Sequence, residues 1–286
     1  MSYARRFIDV TFVGPSTVKF NARGKYALRT SARILKAGGF NLGTLNLELR
    51  GLSLEHINQL STFGTRFHPN YNYTVIVEAG DDENGMSEVF RGGIQQAWGD
   101  MKAMPDCPFH VVAISGGMAS VMRAPPSSYQ GETPAATILE KLAGQARLSF
   151  QNNGVNTKLM DPYFWGSPWK QMKECIDAAN CEGFIDNDTL AIWPKDGNRG
   201  GDSLFISPQT GLRDYPSFTE YGVQVRTEFR RAINYGATMT VKSDIKPANG
   251  SWRIIRIDYD LQANTPRGAW YAILDGAEMG APVTLR

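Results

Sequence analysis

The side chains of this 286-residue chain that could do chemistry fall in a few short stretches. Ala113-Ile114-Ser115-Gly116-Gly117 has the serine and small residues of a degenerate nucleophile elbow, in which a strand delivers the serine to an exposed turn. In that arrangement the histidine follows the serine along the chain, whereas His56, His68 and His110 all precede Ser115. Pro125 also arrives too soon for the helix that should follow, so a strand-end turn is expected. Gly80-Asp81-Asp82-Glu83-Asn84-Gly85 is acidic enough for calcium. Glu88 comes too early to be the distal bidentate ligand, which leaves a solvated hairpin turn. Asp186 and Asp188 could form a glycosidase pair, but their place at a predicted hairpin tip favours turn chemistry. Tyr163, Phe164, Trp165 and Trp169 could stack a sugar or a base, or serve as a hydrophobic staple or domain contact. The segment from Gly38 to Gly43 lacks the Gly-Lys-Ser/Thr of a phosphate loop and should join two strands. The histidines have no i,i+4 pairing and the cysteines no zinc spacing. None of these stretches is expected to supply a catalytic residue, a metal site or a cofactor site.

The elements that must position these residues follow from hydrophobic period. Leu45, Leu47 and Leu49 alternate with polar neighbours, the signature of a half-buried strand. Tyr73, Val75, Val77 and Ala79 repeat the pattern. A third strand, Glu88–Trp98, is expected to break at Gly92-Gly93 in a bulge or a barrel corner, and a fourth starts near Pro108. A short helix capped by Ser53 lies in "LSLEHINQLST". Pro125-Pro126 ends this first part. The period then becomes helical: Thr133 is expected as N-cap with Pro134 at the first helical position, and Ser167-Pro168 opens a second helix. That second helix should bury Met172, Cys175, Ile176 and Ala179. A hairpin turns at Asn187-Asp188, and a glycine-rich linker runs to Asp202. Strands return with Val223, Val225, Thr227 and Phe229 facing inward, followed by "ATMTVKS", "SWRIIRIDYDLQ" and "AWYAIL".

The expected fold is mainly β with an α+β insertion: two small antiparallel β-barrels flank a helix-containing middle domain, at 1–122, 123–200 and 201–286. The two barrel-like parts share an architecture but no residue-level repeat.

Composition narrows function. Hydrophobic residues are 42% and charged residues 20%, an ordinary globular balance, with a net charge of +2 from 30 basic and 28 acidic side chains. Basic residues are interleaved with acids, which disfavours sequence-specific nucleic-acid binding. No apolar run approaches the ~18–20 residues of a membrane span. Asp9 and Thr11 interrupt the apolar stretch a signal peptide would need, so the N-terminus is expected to be a strand from Phe7 to Phe12. Cys107, Cys175 and Cys181 are expected to be free thiols, with a Cys175–Cys181 bridge as the alternative.

One stretch, "ISPQTGLRDYP" from Ile206 to Pro216, packs two prolines, a glycine and an aromatic residue into one connection. It belongs to "SLFISPQTGLRDYPSFTEYGVQVRTEF", followed by "GSWRIIRIDYDLQANTPRGAWYAIL". Upstream stand "SARILKAGGFNLGTLNLELRGLSLEHINQLST", "VIVEAGDD", "GIQQAWGDM", "SYQGETPAATILEKLA" and "FIDNDTLAIWPKDGNRGG". In this order, from about Arg29 to Leu274, they resemble the baseplate hub proteins of tailed bacteriophages. The resemblance implies tandem β-barrels with an α/β insertion and a homotrimeric, pseudo-sixfold ring without enzymatic activity. Such a ring joins a hexameric tail tube to a trimeric central spike and leaves a channel for tape measure protein and DNA. The implied partners are copies of itself, the spike, the tube, the tape measure protein and other baseplate proteins, with no membrane in the resting state. The implied location is the virion baseplate, assembled in the host cytoplasm. Ser207-Pro208 would then end a strand, Gly211 would turn with positive φ, and Tyr215-Pro216 would fix re-entry. Gly211, Tyr215, Pro216, Trp165 and Trp169 are the interface candidates, and a corner that merely closes the barrel is the alternative for the loop. A tail-associated cell-wall or polysaccharide hydrolase using Asp186, and a glycan-binding protein using Trp165 and Trp169, stay open as other functions.

Overall fold

A computed structural model describes residues 5–14, 16–23, 27–61, 73–231 and 233–279. His68 lies outside the described residues. The chain opens with β1 (Arg6–Val13), β2 (Val18–Phe20), β3 (Arg29–Ala37) and β4 (Thr44–Arg50). Then come α1 (Leu54–Leu60), β5 (Thr74–Asp81), β6 (Gly85–Gly99), β7 (Pro108–Ile114) and α2 (Gly117–Val121). The middle holds β8 (Ser127–Ser128), β9 (Glu132–Pro134), α3 (Ala135–Gln145), β10 (Ser149–Asn152), β11 (Lys158–Met160) and β12 (Tyr163–Phe164). It ends with α4 (Pro168–Ala178), β13 (Cys181–Asp186) and β14 (Thr189–Pro194). The last part is β15 (Leu204–Ile206), β16 (Ser217–Thr219), β17 (Gly222–Glu228), β18 (Thr238–Val241), β19 (Gly250–Ala263) and β20 (Trp270–Glu278).

The mainly β character expected from the sequence is present, but the strands of both ends join one sheet. Its order is β16-β17-β20-β19-β3-β4-β7-β6-β5-β1-β2, with β18 on β19 and β15 on β18. Among the described residues no closed barrel is detected. The period-two residues are buried as expected: Leu45, Leu47 and Leu49 in β4, Val223, Val225 and Thr227 in β17. Burying one face of each strand is the main stabilising term, ~1.5–3 kcal/mol per large aliphatic side chain.

The sheet contains a repeat that side-chain identity hides. The order β3-β4-β7-β6-β5 is matched by β16-β17-β20-β19-β18. The registers match as well. β6 slips against β7 between Ile94 and Gln96, opposite Ala113 and Val112; β19 slips against β20 between Ile254 and Arg256, opposite Gly276 and Asp275. Counting from that shared irregularity, Thr74 opposite Gly93 matches Thr238 opposite Arg253. Leu45 opposite Ala113 matches Val223 opposite Gly276, and Ile34 opposite Leu45 matches Phe218 opposite Val223. Backbone bonds agree: the amide of Ile94 donates to Tyr73, and that of Ile254 to Ala237, both at 2.9 Å. One difference is direction, since β1 runs antiparallel to β5 while β15 runs parallel to β18. Ile94 and Ile254, Thr74 and Thr238, and Val77 and Val241 are identical pairs, but most equivalents differ, so the sequence alone yields no repeat.

Two local expectations change. The strand at Gly92-Gly93 is not broken; Gly93 pairs with both Thr74 and Ile114, and the extra residue is Gln95. Gly92 is required because a Cβ there would stand 2.4 Å from the carbonyl oxygen of Ile114. Thr133 is not a helix cap: it lies in β9, paired with Leu159, and Pro134 itself is the N-cap of α3. Its fixed φ is compatible with that boundary, but α3 starts without a side-chain cap. The second helix starts as expected, with the Ser167 hydroxyl accepting from the Lys170 amide. The cysteines are free, so the alternative bridge is not made.

The hairpin β13–β14 turns at Asn187, whose φ is 55°, and faces two cores. Ile185, Leu190 and Ile192 pack with α3 and α4; Phe184, Ala191 and Trp193 enter the core of the large sheet. Phe184 stacks on Tyr235 at 4.4 Å between ring centres. Phe184→Ala should therefore cost ~3–5 kcal/mol. Chemical denaturation would read this as a lowered midpoint, absent in a control Tyr163→Ala at an exposed site.

Candidate functional site

β15 ends at Ile206, and the loop after it is built from its own side chains. The backbone amide of Ser207 donates to the Thr210 hydroxyl at 2.8 Å, and the Leu212 amide to the Ser207 carbonyl at 2.9 Å. Gly211 has φ 102°, as expected, and its carbonyl accepts from the Glu228 amide at 2.8 Å. The Arg213 amide donates to the Arg226 carbonyl at 2.9 Å, and Leu212 bridges to Thr227. The connection thus runs from β15 to the free flank of β17 and lies on it before entering β16. Arg230 reaches back to the carbonyls of Phe205 and Thr210. Pro216 is buried, whereas Tyr215 is 72% exposed. Tyr215 lines a cavity of about 490 Å³ with Pro208, Leu212, Ser243 and Asp244. Arg213–Glu228 (2.9 Å) and Arg226–Asp214 (3.3 Å) ion pairs flank it.

Trp165 and Trp169 do not make one stacking platform. Trp169 is half-buried and stacks on Phe40 at 6.1 Å, in the connection between β3 and β4, which makes it a contact between the insertion and the first part. Trp165 stays 57% exposed, with the Lys170 ammonium 3.2 Å over its ring. Tyr163 is exposed beside it in sequence, while Phe164 is buried in the insertion core.

The reactive-looking groups hold structure. The Ser115 hydroxyl is buried and accepts from the Gly43 amide at 2.8 Å. Asp81 caps its own turn by accepting from the amides of Glu83 and Asn84. His110 stacks on Trp98 at 5.2 Å. Asp188 is exposed and pairs with Arg91 at 3.0 Å. Asp186, expected in turn chemistry, is instead buried between two cations: Lys36 at 2.6 Å and Arg199 at 2.6 Å. Burial raises its pKa, but attraction and hydrogen bonds from Lys36 and Arg199 outweigh this and hold it at about 2. On β19, Arg253 is fully buried, donating to the carbonyls of Lys195 and Gly197 and pairing with Glu182 at 3.1 Å. Burial raises the Glu182 pKa, an effect Arg253 opposes. Sequence reasoning missed Lys36, although it continues the buried parity of Ala32 and Ile34 in β3. A lysine on an apolar face was the available signal.

Asp186→Asn should cost ~3–5 kcal/mol, because it strands two cations in the interior. The sign of the pH effect follows from the lowered pKa. The stabilisation is complete above the unfolded value, ~3.9, and is lost as pH falls towards 2, an amount of ~2–3 kcal/mol. Acid titration of stability should show this slope between about pH 4 and 2 in the native chain, and a shallower one in Asp186→Asn.

Comparison with solved structures shows the fold. A tail protein from Neisseria meningitidis MC58 superposes with a TM-score of 0.65 at 10% identity, over 96% of this chain and 97% of that one. A 43 kDa tail protein of prophage MuSo2 from Shewanella oneidensis gives 0.62 at 10%, over 96% and 99%. An E. coli component of the type VI secretion system, described as similar to T4 bacteriophage tail proteins gp27 and gp5, gives 0.55 at 11%, over 90% and 73%. No curated protein matches in sequence. The family model described as Baseplate hub gp41 matches residues 10–272, and the chain therefore belongs to this family of structural proteins of the phage tail baseplate.

Proposed function

We propose that this chain is a non-enzymatic ring subunit, three copies of which join a hexameric tail tube to a trimeric central spike. The observation that carries the reading is the internal repeat: two five-strand units in matching register. A chain with two equivalent units presents six when three copies assemble, which is what an adaptor between sixfold and threefold partners requires. In this reading each unit is barrel-like, and the chain divides at 1–122, 123–200 and 201–286. The ring leaves a channel for tape measure protein and DNA. A net charge of +2, with acids and bases interleaved, suits a channel that does not grip phosphates. Likeness to tail proteins and to a type VI component supports spike and baseplate partners.

Tyr215 is the loop residue placed for contact in this reading: the backbone of its loop is held on β17, while its ring projects into solvent. Tyrosine suits a site with one end buried and one wet.

Native mass spectrometry of the purified chain, alone and with its spike protein, tests the proposal. A threefold species in either sample is the expected result, and a monomer in both would overturn it. Tyr215→Ala should shift the balance towards monomer by tenfold or more while leaving the unfolding midpoint unchanged. Full assembly of that variant would remove Tyr215 from the interface.

A further inference from the structure

The two units meet inside one chain where β19 pairs with β3, placing Tyr259 opposite Ile34 and Asp258 opposite Leu35. The matching registers give each of these residues a counterpart. Counting from the shared slip, Trp98 on β6 corresponds to Asp258 and Gly99 to Tyr259. Counting across β4 and β17, Phe218 on β16 corresponds to Ile34 and Thr219 to Leu35. One chain makes the joint once. Its second version would bring β16 to β6, and within the chain these two strands are not paired.

We infer that β16 of one copy docks beside β6 of a second copy, Phe218 opposite Gly99 and Thr219 opposite Trp98, so that the joint made within each chain is repeated between chains. The inference rests on the ring reading and names the surface and the occupant.

Four observations support it. Among the described residues β16 has a strand on one flank only, that of β17. Phe218 is 56% exposed, whereas its counterpart Ile34 is fully buried by the β19 joint and the core beneath. An apolar side chain with the parity of a core residue, left open at a sheet edge, marks a surface that is covered in the assembly. On the other strand, β5 pairs with β6 only as far as Gly93, as β18 pairs with β19 only as far as Arg253; just beyond, at Arg256, β3 takes over. Trp98, at the corresponding stretch of β6, is 42% exposed. Finally, size is exchanged across the joint. Within the chain a large Tyr259 faces the smaller Ile34; between chains a large Phe218 would face Gly99. A Cβ on Gly99 would come within 2.8 Å of the Ile57 methyl, so the bulk must come from the β16 side.

The test is cysteine cross-linking in the full-length chain carrying Cys107→Ser, with the spike protein present. Opposed residues of antiparallel strands lie about 4.5–5.5 Å apart at Cα, within disulfide reach. Mixing a Trp98→Cys chain with a Thr219→Cys chain and oxidising mildly should give a covalent dimer on a non-reducing gel. The double variant should give a ladder ending at three chains. Thr219→Cys mixed with Met160→Cys should stay monomeric. Phe218→Asp should lower assembly by tenfold or more at an unchanged unfolding midpoint, and it guards against damage from the Trp98 change. A threefold native mass without the 98–219 link would overturn this joint and leave the ring reading standing. A link from residue 219 to the spike protein would also overturn it. Monomers throughout would remove both.

Discussion

Strand β19 must satisfy its backbone hydrogen bonds on two flanks at once, and the rest of the molecule is arranged around that requirement. One flank is covered by β20 from Trp252 to Leu261. The other is shared, by β18 from Gly250 to Arg253 and by β3 from Arg256 to Ala263. The handover coincides with the register slip at Ile254/Arg256, where an extra residue bends the strand and increases its local twist. Because one strand belongs to both ladders, the two units cannot move independently without breaking backbone pairing. A linker would let them rock; a shared strand fixes their angle.

The insertion is anchored at the same place. Lys36 stands opposite Ile257 in the β3–β19 joint, and its ammonium holds Asp186 at the end of β13. Arg199 holds the other oxygen of that carboxylate, and Arg253 on β19 grips the carbonyls of Lys195 and Gly197. These ion pairs add little net stability over a well-packed apolar alternative, since each charge loses its hydration. Their value is directional. Phe184 and Trp193 would accept several packings against the large core, but a carboxylate between two fixed cations accepts one. In the proposed ring, a fixed angle between the insertion and the two strand units would matter more than added stability.

What was legible in the sequence follows from which signals are local. Alternation in β4 and β17 and the Ser167-Pro168 start of α4 depend on neighbours along the chain, and they could be read directly. Gly211 was readable because a left-handed turn has few substitutes for glycine. The repeat was not readable. Register is set by backbone pairing between distant strands, and any side chain of suitable polarity satisfies it: Thr227 does in β17 what Leu49 does in β4. Asp186 was placed correctly in its hairpin and misread in its role, because its partners Lys36 and Arg199 lie 150 and 13 residues away. Trp165 and Trp169 look like one cluster in sequence, yet the helix start between them sends one ring to Phe40 and the other to solvent.

The shortness of β16 has its own logic. Its counterpart β3 runs for nine residues; β16 has three. In the matched register Pro216 falls where β3 has Ala32, and both are buried. Proline has no N–H, and in this parity the missing donor lies on the open flank, so pairing with an incoming strand cannot continue past it; the chain leaves the strand at Tyr215. A long open edge carrying an exposed phenylalanine would recruit any extended chain, including misassembled copies. Three residues stopped by a proline offer too few hydrogen bonds to hold a partner by backbone pairing alone. In the proposed ring side chains would have to complete the contact, and selection would pass to Phe218 and to the loop that precedes it. The stretch from Ile206 to Pro216 is therefore both a corner and a limit: it closes the path from β15 to β17, and it sets how much free edge the second unit exposes.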